Sequence, residues 1–297
     1  MILTVVAFAR RSDQPKFKIK KASQAIWINP GGDATFNLEC IIDLTEVPPE
    51  SPLNEVVILI DGRVAPESIV QENDLFLNAN FCDYLYDGKY ERKSESFVKL
   101  LVAPDVYQFI KIASIHHIEV TPQEHYTRIR IFFSENLRKE RSDVCGDLVK
   151  YAGFRIRYTI RKFARKIKKH IYSEAIYTID LRPYDTKVIR ELTTREELVD
   201  LELLYYWVVL PQGFFVTAYA PQLHQIRNLE LDPWRNVYQK LEEGSICYAW
   251  KLVSPSVARR LHLDFKEPAF EPKWTFWLAL LAMISFLITL LRFFFKI

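Results

Sequence analysis

Three histidines and one glutamate fall within ten residues of each other: His116, His117, Glu119 and His125. Imidazole nitrogens and a carboxylate oxygen are ligands that zinc and iron accept, and strand spacing would put His117 and Glu119 on one face. His125 could supply a third ligand if the chain turned back at Pro122. No recognised metal motif surrounds the trio, so a metal-dependent enzyme competes here with surface or packing histidines. Asp180, Arg182 and Asp185 in TIDLRPYD read more readily as a salt-bridged turn than as a site. Cys40, Cys82, Cys145 and Cys247 are far apart and form no CxxC pair, which fits free and mostly buried thiols. There is no GxSxG, Walker loop, HExxH or GxGxxG, and eight glycines in the whole chain leave little material for a phosphate-cradling loop. These observations assign no catalytic residue and no cofactor.

Charge gives a stronger signal. From Lys150 to His170 there are nine Lys or Arg residues and no acid. The chain totals 40 basic and 37 acidic residues, so the remainder holds 31 basic against 37 acidic. A formal charge of +3 therefore conceals an acidic body with one basic segment. Arg155, Arg157, Arg161, Lys162, Arg165, Lys166, Lys168 and Lys169 are its candidate anion-binding residues. Three uses compete for them. They can form a solvated face balancing acidic surface elsewhere, or they can meet an anionic lipid surface, where each cation contributes about 1 kcal/mol within a Debye length of ~8 Å. The third use is an anionic ligand or nucleic acid, with Tyr151, Phe154, Tyr158 and Phe163 interleaved as stacking partners. Nucleic acid ranks last because no recognised motif accompanies the aromatics.

The elements that must carry these residues are mostly strands. Residues 1–133 hold short runs rich in β-branched and aromatic side chains, such as ATFNLECII, EVVILID and YTRIRIFF, separated by Pro/Gly turns. This pattern predicts a mainly β domain, a β-sandwich or open barrel. Residues 134–171 form a polar and basic connector. In it Phe154, Ile156, Tyr158 and Ile160 alternate with Arg155, Arg157, Thr159 and Arg161, which predicts a strand. Ile160, Phe163, Ile167 and Ile171 then fall at helical spacing, so a basic helix is expected from about 161 to 171. Residues 172–264 read as a smaller α+β unit. Thr194-Arg-Glu-Glu197 starts a helix or a turn, VVL-Pro211-Gln212-Gly213-FFVTAYA looks like a hairpin, and Asp232-Pro233 opens a helix ended by Gly244. Pro268 and Pro272 stiffen a linker over 265–273.

The last of these elements is apolar. Trp274 to Leu291 is eighteen residues without a charge, bounded by Lys273 and Arg292. As a helix it would reach roughly 27 Å, close to the ~30 Å hydrocarbon thickness of a bilayer. Trp274 and Trp277 sit where interfacial aromatics belong, and 274–292 is expected to be a transmembrane anchor. The first residues lack a basic n-region and read as a strand instead of a secretory signal, so the expected topology is a single-pass tail anchor with the body cytoplasmic. The function expected on this architecture is binding, sensing or scaffolding at the lipid bilayer, through a protein partner or self-association. A membrane-disrupting effector that oligomerises on sensing a ligand is the alternative.

Overall fold

A computed structural model describes residues 3–4, 7–29, 33–51, 53–74, 90–92, 96–103, 106–124, 126–138, 149–163, 165–169, 175–182, 192, 194–229, 234, 241, 243–253, 261–266 and 280–288. In chain order the first strands are β1 (Leu3–Thr4), β2 (Ala7–Arg11), β3 (Lys18–Ile28), β4 (Ala34–Asp43), β5 (Glu55–Asp61), β6 (Val70–Gln71) and β7 (Tyr90–Arg92). There follow β8 (Phe97–Ala103), β9 (Val106–Ile112), β10 (Ile115–Pro122), β11 (Tyr126–Phe133), β12 (Tyr151–Ile160), β13 (Arg165–Lys169) and β14 (Ala175–Arg182). The remainder are β15 (Glu196–Leu198), β16 (Asp200–Leu201), β17 (Leu203–Leu210), β18 (Phe215–Ala220), β19 (Gln225–Asn228), β20 (Ile246–Val253) and β21 (Leu261–Lys266). The protein is mainly β, as the run of short apolar segments predicts.

The strands make three sheets. The largest runs β19-β20-β17-β3-β4-β12-β9-β8-β7, with β16 on β3 and β6 on β12. A second runs β10-β11-β5-β2-β15, and a third β1-β14-β21-β18, with β13 on β14. Strands from both sides of positions 133 and 172 therefore bond to one another. The centre of the large sheet is covered on both faces, which is why LLYYWVVL in β17 is almost continuously buried and apolar. On one face Phe36, Leu38 and Cys40 from β4 meet Phe154, Ile156 and Tyr158 from β12, in a core shared with Ile58 and Ile129 of the second sheet and Ile179 and Leu263 of the third. Phe36 stacks on Tyr158 at 5.0 Å between centroids and meets Phe163 edge-on at 4.8 Å. On the other face Trp27, Trp207 and Trp234 belong to a second cluster, Trp27 and Trp234 at 5.9 Å.

Several predicted elements are corrected. The basic segment is not a strand running into a helix. β12 ends at Ile160, the chain turns at Arg161 and Lys162, and Arg165–Lys169 is a strand paired antiparallel with β14 through a bulge between Lys166 and Lys168. Helical spacing of its isoleucines loses to the backbone partner that β14 offers. The expected α+β unit is also mainly strand. Its described residues include β14 to β21, and Trp234 is its one described helical residue. Most of the helix predicted after Asp232-Pro233 lies outside the described residues. Thr194 and Arg195 form a turn leading into β15. The hairpin predicted at Pro211-Gln212-Gly213 does not close. Gly213, at φ 83°, lets the chain leave β17, which pairs with β3 and β20, and enter β18, which pairs with β21 in another sheet.

The predicted membrane anchor is corrected too. Among the described residues no helix is long and apolar enough to cross a membrane. The described helical residues there are Leu280–Ile288, α1. Trp274, Trp277 and Arg292 lie outside the described residues. The single-pass localisation is overturned, and the argument that placed the body in the cytoplasm goes with it.

Candidate functional site

The predicted basic patch separates into three parts, and one of them lines a cleft. Arg155 is buried. Its guanidinium lies 3.6 Å from Glu39 and 3.2 Å from Glu72, and Arg157 reaches Glu72 at 3.2 Å. Asn37 Nδ2 donates to Glu72 at 2.6 Å, and Trp27 Nε1 donates to Asn37 Oδ1 at 2.6 Å. Asn73 accepts the Arg155 N–H and donates to Ala113 O. These cations hold the sheet together. Arg165, Lys166, Lys168 and Lys169 are the second part, placed by their backbone on β13.

Arg161 and Lys162 are the third part, and they are exposed. Ile160 before them and Phe163 after them are both buried, so the turn is pinned at each end and its two cations point away from the core. Lys162 adopts a left-handed conformation, φ 52°, which costs a side-chain-bearing residue about 1–2 kcal/mol. Its N–H donates to Asp33 Oδ1 at 2.6 Å, and this bond helps hold the turn. Facing it is the segment that follows β5. Gly62, at φ 106°, begins a bend in which Thr127 Oγ donates to Gly62 O at 2.7 Å and accepts the Val64 N–H at 3.0 Å. Val64 bridges to Ile160, and a single 3-10 turn, Pro66–Ser68, closes the wall. Ser68 Oγ donates to Ala65 O and accepts the Thr159 N–H.

Between these two segments lies a cleft of about 560 Å³, with Pro122 at the end of β10 on its rim. Arg63, Arg161 and Lys162 line it against one acid, Glu67. None of these three cations has an ion pair among the described residues. The cleft floor is apolar, formed by Val64, Ile160 and Phe163. The residue pattern located Arg161 and Lys162. Arg63 was missed, because an isolated arginine after Asp61-Gly62 reads only as a turn.

Of the histidine cluster, His116, His117 and Glu119 are described, on β10. His117 Nε2 is 4.0 Å from Glu119 Oε1, but Glu119 accepts a hydrogen bond from Arg130 at 2.9 Å, and His125 lies outside the described residues. Among the described residues no three His, Cys, Asp or Glu side chains are grouped as metal ligands. Cys40 and Cys247 are buried free thiols; burial pushes both pKa values up, Cys247 to about 12, so neither is a ready nucleophile.

A different histidine does have carboxylate partners. Asp180 lies on β14 instead of in a turn, opposite His262 on β21. His262 Nδ1 is 2.8 Å from Asp180, its Nε2 is 3.1 Å from Asp264, and Thr178 Oγ donates to Asp264 at 2.5 Å. Burial works against the imidazolium, but the two carboxylates outweigh it and raise the pKa. A raised pKa stabilises the fold below the unfolded value of about 6.5, and this contribution is lost as pH rises through the folded value. The denaturation midpoint of His262→Asn should therefore fall less steeply than that of the natural protein above about pH 6.5. Equal slopes would mean that the aspartates do not hold the proton.

No protein-family model matches this chain, and no curated protein matches it in sequence. Among solved structures, it is similar to an M1 zinc metallopeptidase from Deinococcus radiodurans at 8% identity and TM-score 0.35, covering 86% of this chain and 43% of that one. The chain thus spans less than half the length of that structure. The baculovirus protein P35 aligns at 7% identity and TM-score 0.28, over 85% of this chain and 97% of that one. Superpositions this loose carry no argument about function.

Proposed function

We propose that this chain is a β-sandwich binding module that recognises an anionic ligand or partner at the cleft between the Gly62–Ser68 segment and the Arg161–Lys162 turn, without chemistry on it. The observation that carries this reading is the division of labour within the basic run. Arg155 and Arg157 are spent on internal acids, whereas Arg161 and Lys162 are exposed at a cleft that Arg63 also lines. A solvated face would not need a pinned turn with a left-handed lysine. The groups lining the cleft suit recognition better than catalysis. Ser68 Oγ is already committed to two backbone partners, and among the described residues that line the cleft there is no histidine or cysteine.

The test is a titration with inorganic pyrophosphate, followed by calorimetry at low and at moderate salt. The natural protein should bind, and more weakly as salt screens the cleft. Replacing Arg161 with Glu together with Lys162→Gly should weaken binding at least tenfold, while Lys16→Glu, an exposed change outside the cleft, should leave it within twofold. Glycine at 162 keeps the left-handed turn accessible, so loss of binding would not reflect a lost turn. Equal weakening by Lys16→Glu would mean diffuse charge attraction and would sink the reading.

A further inference from the structure

Resting on that reading, we infer that the ligand is a phosphate monoester, its dianionic end held by Arg63, Arg161 and Lys162 and its organic body seated on the apolar floor. Charge is the first argument. Three cations line the cleft against Glu67, and Asp33 sits behind the turn on the Lys162 N–H, so the lining is net positive. A phosphate monoester carries about −1.5 to −2 near neutrality, whereas a sulfate ester, a carboxylate or a phosphodiester carries only one negative charge. The donor set is the second argument. Two guanidinium groups offer planar forks that match phosphate oxygens in pairs, and the lysine adds a compact point charge. Size is the third. About 560 Å³ falls within the ~300–1,000 Å³ range of small-molecule sites, so there is room for an organic body beside the phosphate. Val64, Ile160, Phe163 and Pro122 give that body an apolar surface.

The dianion also defines the pH behaviour. A monoester loses its second proton near pH 6, so binding should strengthen as pH rises through about 6, opposite to any response governed by histidine protonation. The charged groups that face the phosphate position are Arg63, Arg161, Lys162 and Glu67 from the cleft walls, with Asp33 on the Lys162 N–H behind the turn.

The experiment compares phenyl phosphate, diphenyl phosphate and phenyl sulfate on the natural protein by calorimetry, between about pH 5 and pH 8. Phenyl phosphate should bind at least tenfold tighter than the other two at the upper pH, and the advantage should shrink to twofold or less at the lower one. Arg63→Ala should remove most of the advantage. The comparison on unmutated protein stands even if that variant fails to fold. Vesicles carrying phosphatidate, set against vesicles carrying phosphatidylglycerol, distinguish a lipid-borne monoester from a free one. Selective vesicle binding and selective phenyl phosphate binding both support the assignment. If all three small probes bind alike, the cleft is an anion site with no monoester selectivity, and this inference fails while the proposed function survives. If none binds, the proposed function fails with it.

Discussion

Arg155→Ala is expected to lower the unfolding free energy by about 3–5 kcal/mol, the range found when one partner of a buried ion pair is removed. Arg155 stands on β12 with 3% of its side chain exposed, directly across from Glu39 on β4 and beside Glu72. Alanine would leave both carboxylates in a space closed to water. Glu72 would keep Arg157 and the Asn37 amide, but Glu39 would keep no ion pair, and its Oε1 already lacks a hydrogen-bond partner. The loss should be smaller below about pH 7, where Glu39 can hold a proton, and full only above it. The matched change a few residues on, Arg161→Ala, should change the unfolding free energy by less than about 0.5 kcal/mol because that side chain is exposed. Urea unfolding of the two variants checks the contrast. Similar losses for both would mean that the basic run is not divided between core and cleft.

Glu39 should make the protein less stable as the solution becomes more alkaline, and Glu39→Gln should abolish most of that trend. Burial raises the pKa of this carboxyl, Arg155 and Lys21 oppose the shift, and the balance leaves it at about 7 against an ordinary value of 4.5. An acid whose folded pKa is raised keeps its proton better in the folded state. Its contribution is fully present below the unfolded value of 4.5 and is lost as pH rises through about 7. At 1.36 kcal/mol per pKa unit the loss is about 3 kcal/mol by pH 8 and above. Glutamine has no proton to lose. Its denaturation midpoint should be nearly flat in the interval where the natural protein declines, apart from the His262 contribution, which has the same sign. Combining Glu39→Gln with His262→Asn separates the two. A natural protein whose midpoint rises from pH 5 to 8 would show that Glu39 is ionised throughout.

These two residues also mark where sequence reasoning ran out. Alternation at Phe154, Ile156, Tyr158 and Ile160 was enough to place a strand and to pick its buried face. It also put Arg155 and Arg157 among the candidate anion-binding residues, because period two gives two faces and says nothing of what covers them. Arg155 is buried among Glu39, Glu72 and Asn73, which reach it from distant parts of the chain. No local pattern carries that information. The strand β13 was missed for a related reason: its four cations and one isoleucine, with apolar residues at helical spacing on either side, permit a helix, and only β14 decides otherwise. The Arg161–Lys162 turn lay within the predicted patch, yet its cleft was not visible, since the opposing wall begins at Gly62, nearly a hundred residues earlier. The apolar stretch after Lys273 shows a further limit. Hydropathy measured a segment, and among the described residues no helix is long and apolar enough to cross a membrane.

The parallel pairing of β3 with β17 has a consequence for how the chain is made. β3 is complete once Ile28 has left the ribosome, but its neighbour Leu204–Val209 is synthesised roughly 180 residues later. Through that interval β3 has β4 on one side and an open edge on the other, and an open apolar edge is a template for pairing with a neighbouring chain. Topologies dominated by such distant pairings fold slowly. Chains released early, before Leu210, should therefore aggregate instead of forming a smaller native unit. Lys18, Lys20 and Lys21 at the start of that edge are well placed to repel a second copy while the nascent chain waits.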